Sequence, residues 1–235
     1  MATINLFGAS GHAKVLMDII MAQGDKVDCL YDDAPHYCEI HGVPVYKASE
    51  THVSEPLIIS IGSNRVRKRI SERYPIEYGK AIHPQAIISP TVTIGRGTVV
   101  MHNALIQADT KIGDHCIINS ASSIDHECVI GDFVHISPHA TLCGNVHVGE
   151  GSWIGAGAVV IPGIRIGRWC TIGAGSVVIR DIPDGVTAYG NPCKIKEQDM
   201  QTSKGCKMIN PKSGGGSETL EFNILYSYII MTYAA

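Results

Sequence analysis

Residues 124–144 read IDHECVIGDFVHISPHATLCG, and every sixth residue in this stretch is aliphatic: Ile124, Ile130, Ile136, Leu142. The beat extends in both directions. Backward it passes through Ile118, Ile112, Ile106, Val100, Ile94 and Ile88 to Ile82; forward it continues through Val148, Ile154, Val160, Ile166 and Ile172 to Val178. Two places before each aliphatic the residue is mostly small, as at Thr98, Ala104, Cys116, Ser122, Cys128, Ala140, Ser152, Ala158, Cys170 and Ser176. This is the hexapeptide repeat of a parallel β-helix. Short strands joined by turns close a triangular prism with 18 residues per coil. The aliphatic and the small residue point inward and stack on their counterparts one coil away. Cys116, Cys128 and Cys170 therefore read as small inward packing residues.

The residue just before each aliphatic points outward, and these residues sort onto three faces. Thr93, Lys111, Val129, His147 and Arg165 form a row that reads as solvated. Ile87, Leu105, Ser123, Thr141, Val159 and Val177 form a second, and Val99, Ile117, His135, Trp153 and Thr171 a third. Two faces this apolar are too many for an isolated prism. The expectation is a homotrimer packed through both of them.

Before the repeat, TINLFGASGHAKVLMDIIMAQG (residues 3–24) reads as strand, glycine-rich turn and amphipathic helix. KVDCLYDDAP reads as a second strand ending in acids, and PLIISIGSNRVRKRISERYP as strand, turn and basic helix. Alternating strands and helices imply a small parallel sheet of Rossmann-like topology, with ligands bound beyond the carboxyl ends of the strands. Those ends carry Ser10, Gly11 and His12, then Asp32 and Asp33, then Gly62, Ser63 and Asn64. Gly8-x-x-Gly11 is not the dinucleotide fingerprint, but two glycines at a helix N-terminus suit a nucleotide diphosphate. The expected division is an α/β domain over residues 1–78, a β-helix over 79–196 and a tail over 197–235. In that tail KSGGGS reads as a linker, and FNILYSYIIM is shorter than the roughly 18 residues that span a bilayer.

A formal charge of −3 provides no basic field for nucleic acid or anionic lipid. Eight cysteines without a C-x-x-C pair, and a first strand with no leader ahead of it, point to free thiols and a cytoplasmic location.

The chemistry concentrates at His126. It follows an inward Ile124 by two places, so it lies at a corner of the prism, and one coil later stands Gly144. An imidazole beside a bare backbone amide offers acyl transfer both a base and an oxyanion donor. Glu127 could hold the other ring nitrogen and raise its basicity. Ala156 and Ala174, also 18 apart and each preceded by Gly, form a strip of bare backbone suited to a pantetheine arm.

FGASGHAKV, YDDAP, SIGSN, IDHECVIGDFVHIS and GNP, in this order, resemble the sugar acetyltransferases of the NeuD/PglD type. The likeness runs from about residue 3 to about 196. It implies an α/β domain that binds a UDP-sugar and a left-handed β-helix that binds acetyl-CoA as co-substrate, in a trimer that requires no metal. The family's general base falls on His126 and its basicity-raising acid on Glu127. Its acetyl-CoA contacts fall on His135, Ala156 and Ala174, and its UDP-sugar contacts on Ser10, Gly11, His12, Asp32, Asp33 and Gly62.

The leading reading is transfer of acetyl from acetyl-CoA to the amine of a UDP-linked amino sugar. Transfer to a hydroxyl, as on a sialic acid, stays open because the family includes both acceptors. A zinc enzyme of the γ-carbonic-anhydrase type shares the β-helix, but it would leave the α/β domain without a task. A nucleotide-sugar sensor would not need His126 and Glu127 beside Gly144.

Overall fold

The computed structural model describes residues 1–196; the linker and apolar run expected in residues 197–235 lie outside the described residues. Residues 1–196 form one compact unit.

The chain begins with β1 (Thr3–Phe7), α1 (Gly11–Ala22), β2 (Lys26–Asp32), β3 (Glu39–Ile40), β4 (Val43–Lys47), β5 (Leu57–Ile59) and α2 (Asn64–Arg73). The sheet order is β3-β4-β2-β1-β5, parallel except for the β3–β4 hairpin. In α1 the helical stripe Ala13, Leu16, Met17, Ile19 and Ile20 is buried on the sheet. With β1 central and the next strands added on opposite sides, the topological switch lies at the carboxyl end of β1. There the turn Gly8–Gly11 faces the turn after β5. Gly8 has φ +116°, and a Cβ on it would lie 2.7 Å from Ile61 Cγ1. Gly11 and Gly62 face open space instead.

From Ala81 onward the chain is a parallel β-helix. Two-residue strands recur every six residues and are sorted into three sheets. Each strand pairs with the one 18 residues on, as in Leu105↔Ser123, Lys111↔Val129 and Ile117↔His135. The inward aliphatics and small residues merge into one buried column from Val100 to Ala188. Full burial of such a side chain contributes about 1.5–3 kcal/mol. One turn residue in six adopts the left-handed conformation, among them His115 (φ 54°), Glu127 (φ 59°), Phe133 (φ 59°) and Asn145 (φ 57°). This conformation belongs to the coil as such and is not peculiar to Glu127.

One expectation needs correction. The row Val99, Ile117, His135 and Trp153 is not left for a second subunit. Val99 and Ile117 are each 1% exposed and share a core with Ile4, Leu6, Leu16 and Ile20 of the α/β layer. The chain's own first 78 residues cover that face. The row beginning at Ile87, itself 67% exposed, leaves its other outward residues half-buried.

Helix α2 fastens the two layers. Its Arg67 is 1% exposed and has no carboxylate partner among the described residues. All its donors are used instead. Nε donates to the His115 carbonyl (3.0 Å), and Nη1 donates to the carbonyls of Ile61 (3.1 Å) and Gly62 (2.8 Å). Nη2 donates to Asn64 Oδ1 (2.8 Å) and the Phe133 carbonyl (3.0 Å). Asn64 in turn donates to the Gly151 and Ser152 carbonyls. Beside this lock runs a column of rings at one corner: Tyr78 meets His115 edge-on at 4.5 Å, and His115 stacks on Phe133 at 5.2 Å. Further along the same corner, Arg65 lies over Trp169 at 4.6 Å.

Candidate active site

The expected base stands where the count of six places it. His126 sits on an exposed corner, its Nδ1 3.0 Å from Glu127 Oε2. Its backbone N–H donates to Asp125 Oδ1 (2.8 Å), and its carbonyl accepts from Asn145 N–H (2.9 Å) one coil below. With Glu127 accepting at Nδ1, the proton sits there and Nε2 carries the free lone pair. The ring lies directly over Gly144: a Cβ there would fall 2.6 Å from both Nε2 and Cε1. Any side chain at 144 would push the imidazole off the corner. Among the described residues nothing accepts a hydrogen bond from the Gly144 N–H, although its carbonyl accepts from Gly163.

Ala156 and Ala174 are exposed at a different corner and stack in register, with Gly175 N–H donating to the Ala156 carbonyl at 2.8 Å. Beneath them the coils are in tight contact: a Cβ on Gly155 would lie 2.6 Å from Ala174 N.

His135 lies apart from both corners within this chain. It is on the covered face, stacked on Trp153 (5.7 Å, 4°), with Nε2 3.1 Å from Asn119 Nδ2. Burial, followed by the positive charge of Arg67 and then His12, holds its pKa well below the ordinary imidazole value. His12 is pushed down to about 4 by burial and then Arg67. Both rings are thus neutral at physiological pH. His12 Nε2 and His135 Nδ1 are buried without a hydrogen-bond partner among the described residues. Orphaned buried nitrogens of this kind need a substrate group or a water to satisfy them.

The acids after β2 divide their work. Asp32 accepts from the Ala9 N–H (2.9 Å) and the Ala34 N–H (2.8 Å), so it braces the glycine-rich turn. Asp33 is exposed and receives two hydrogen bonds from Arg73 Nη1, at 2.8 and 3.0 Å. Ser10 precedes α1 without a side-chain cap bond. Together Ser10, Gly11, His12 and Gly62 surround the switch-point crevice. Sequence reading missed Arg67 and Asn119. For Arg67 a signal existed: it stands three residues before Ile70 on the helix face that is buried.

A model described as the PglD N-terminal domain matches residues 3–74, and one described as bacterial transferase hexapeptide (six repeats) matches 109–144 and 145–180. The perosamine N-acetyltransferase of Caulobacter crescentus, solved with CoA and GDP-perosamine, is 39% identical. The alignment covers 83% of this chain and 97% of that one, with a TM-score of 0.79. The chain belongs to the NeuD/PglD-type sugar acetyltransferases. The acetyltransferase domain of PglB from Neisseria gonorrhoeae FA1090 is another relative, 36% identical over 83% of this chain and 99% of that one, with a TM-score of 0.77. A match of 42% identity over 113 residues joins 43% of this chain to the UDP-N-acetylbacillosamine N-acetyltransferase of Bacillus subtilis. The chain spans about half the length of that curated relative, 52%, and 21% of uncharacterized protein L142 of Acanthamoeba polyphaga mimivirus, to which it is 33% identical over 101 residues.

The neutral histidines carry a pH signature. His12 and His115 have pKa values near 4 in the fold, against 6.5 ordinarily, and burial is the leading cause for both. Between those limits the unfolded chain binds more protons than the folded one, so stability rises with pH across the window and is lost as pH falls. Thermal melts should show the melting temperature dropping between about pH 6.5 and about pH 4. A flat profile over that range would mean that these rings take up protons inside the fold at no cost.

Proposed function

We propose that this family member transfers the acetyl group of acetyl-CoA to the amine of a nucleotide-linked amino sugar, with His126 as general base. The observation that carries the reading is the His126–Glu127 pair lying against the unpartnered Gly144 amide. In the reaction the sugar amine attacks the thioester carbonyl and His126 Nε2 takes its proton. Glu127 stabilises the resulting imidazolium through Nδ1–H. The Gly144 N–H donates to the oxyanion of the tetrahedral intermediate. On collapse the carbon–sulfur bond breaks, and the imidazolium returns the proton to the departing thiolate. Relatives named for bacillosamine and perosamine N-acetylation support an amine acceptor over a hydroxyl.

The crevice at Ser10, Gly11, His12 and Gly62, braced by Asp32 and edged by Asp33, takes the nucleotide part of the acceptor. Relatives are named for both UDP- and GDP-sugars, so a panel of both nucleotides with acetyl-CoA, read by release of free thiol, defines the acceptor. With the best acceptor, His126→Ala should lower kcat roughly a hundredfold to ten-thousandfold, with both KM values near wild type. Glu127→Gln should cost less, because it only tunes the imidazole. Full activity of His126→Ala at neutral pH would remove it as the base.

The strip at Ala156 and Ala174 takes the pantetheine arm. Both side chains point to solvent, so a larger residue there need not disturb the coil. Ala174→Leu should weaken CoA binding in calorimetric titration while the melting temperature and nucleotide-sugar binding persist. Unchanged CoA affinity in the folded variant would take Ala174 out of the site.

The base and the strip occupy different corners of one prism. A homotrimer packed through the Ile87–Val177 row would bring one chain's strip to the next chain's His126, and His135 would reach acetyl-CoA only in such an assembly. Light scattering should give a trimer mass at micromolar concentration; a stable monomer with full activity would exclude a site shared between chains.

A further inference from the structure

Among the described residues Arg67 is the only lysine or arginine that is buried. The other cations of the two helices dispose of their charge at the surface. Arg73 is paired with Asp33, Lys68 with Glu150, and Arg65 lies over Trp169. Lys14 and Arg69 are exposed. Arg67 has none of these outlets. Burial is the main influence on its pKa, which at about 10 leaves it charged at neutral pH, and the Cys116 thiol is the one ionisable group that adds to it. That thiol is itself pushed up to about 12, chiefly by burial, so it is neutral. The guanidinium therefore carries a full positive charge with only carbonyl and amide dipoles around it. Buried charges are as a rule paired, so the place of the missing anion becomes the question.

The charge stands at the edge of the switch-point crevice. Nη1 donates to the Ile61 and Gly62 carbonyls, and Gly62 forms the crevice with Ser10, Gly11 and His12. The field of Arg67 reaches the crevice wall: after burial, it is the Arg67 charge that lowers the pKa of His12. The nearby carboxylate of Asp32 is turned to the Ala9 and Ala34 amides and leaves Arg67 uncompensated. All five guanidinium donors are engaged, so the side chain has none left to grip a ligand. Its influence on a bound anion acts through space. One pair of unit charges roughly 10 Å apart, at an effective dielectric of about 20, changes a binding constant about tenfold. A buried charge is also screened by salt much less than an exposed one.

We propose that Arg67 is a specificity-determining residue for the acceptor: it is the distant counter-charge of a diphosphate held between Gly11 and Gly62, and it makes the crevice select a nucleotide-diphosphate sugar over an uncharged one. The inference rests on the nucleotide-sugar reading of that crevice and deepens it. Arg67 is also a strut between the Gly62 turn and two coils, and the test must separate its charge from its hydrogen bonds.

Calorimetric titration of the full chain with uridine, UMP and UDP, and in parallel with guanosine, GMP and GDP, makes that separation. The nucleosides are uncharged and each phosphate adds negative charge. Wild type should gain affinity at each step of at least one series. Arg67→Met removes charge and donors together. Its loss of affinity for the diphosphate should exceed its loss for the nucleoside by about tenfold or more. Arg67→Lys keeps the charge but not the five-donor fork, and should keep most of the diphosphate's advantage even with a lower melting temperature. A loss of equal factor for nucleoside and diphosphate in Arg67→Met would leave Arg67 a strut and overturn the proposal, as would an Arg67→Lys that loses the advantage as fully as Arg67→Met. Should neither variant fold, wild type at rising salt decides: the diphosphate's advantage should largely persist, and its collapse would assign it to exposed lysines and arginines instead. A wild type that binds neither UDP nor GDP would overturn the nucleotide-sugar reading itself.

Discussion

Each coil of the prism must lie flat on the next, and most of the molecule follows from that one requirement. Strands in register 18 residues apart leave no freedom in what stacks on what. Inward positions accept only residues that fit an occupied column, so a small residue and an aliphatic alternate along it. Corner positions must tolerate a neighbour a strand spacing away. The same rule that puts Gly155 under Ala174 puts His126 over Gly144. The candidate chemistry thus uses geometry that the scaffold needs anyway, with the side chains chosen to exploit it.

The second constraint is a buried charge without a counter-charge among the described residues. Arg67 gives its donors to four carbonyls and one amide oxygen drawn from the β5–α2 turn, from α2 itself and from two coils. Carbonyl dipoles solvate the guanidinium in place of water, and burial lowers its pKa only to about 10, so it remains charged. A fixed cation at this point has two effects. It ties the Gly62 turn to the β-helix, and it disfavours protonation of His12 and His135 nearby. His12 beside the glycine-rich turn and His135 on the covered face are therefore neutral imidazoles that can hydrogen-bond without repelling one another.

The sequence made the repeat plain because an inward residue answers to a single periodic demand. Seventeen aliphatics in step, from Ile82 to Val178, admit one reading. His126 and Gly144 were legible for the same reason, since the coil length converts their separation into a contact. What covers an outward row was not legible. Val99 and Ile117 looked like subunit interface, yet they pack on Leu6 and Leu16, because periodicity reports which way a residue points and not what it meets. Arg67 was hidden by the ordinary rule that charge means solvent. The bonds from the Asp32 carboxylate to the Ala9 and Ala34 amides were not legible either, because they depend on the fold of the turn and not on spacing.

The in-register coil also makes this protein a length standard. Distance along the prism accrues in steps of about 4.8 Å per coil, so the separation between the His126 corner and the last coil is a count of residues rather than a product of loop conformation. An insertion of one or two residues between Gly144 and Lys194 would rotate every later corner out of line. An insertion of a full coil would keep every corner aligned and lengthen the track by one step. The number of coils, more than any one residue, thus sets how far apart two marked corners of the prism stand.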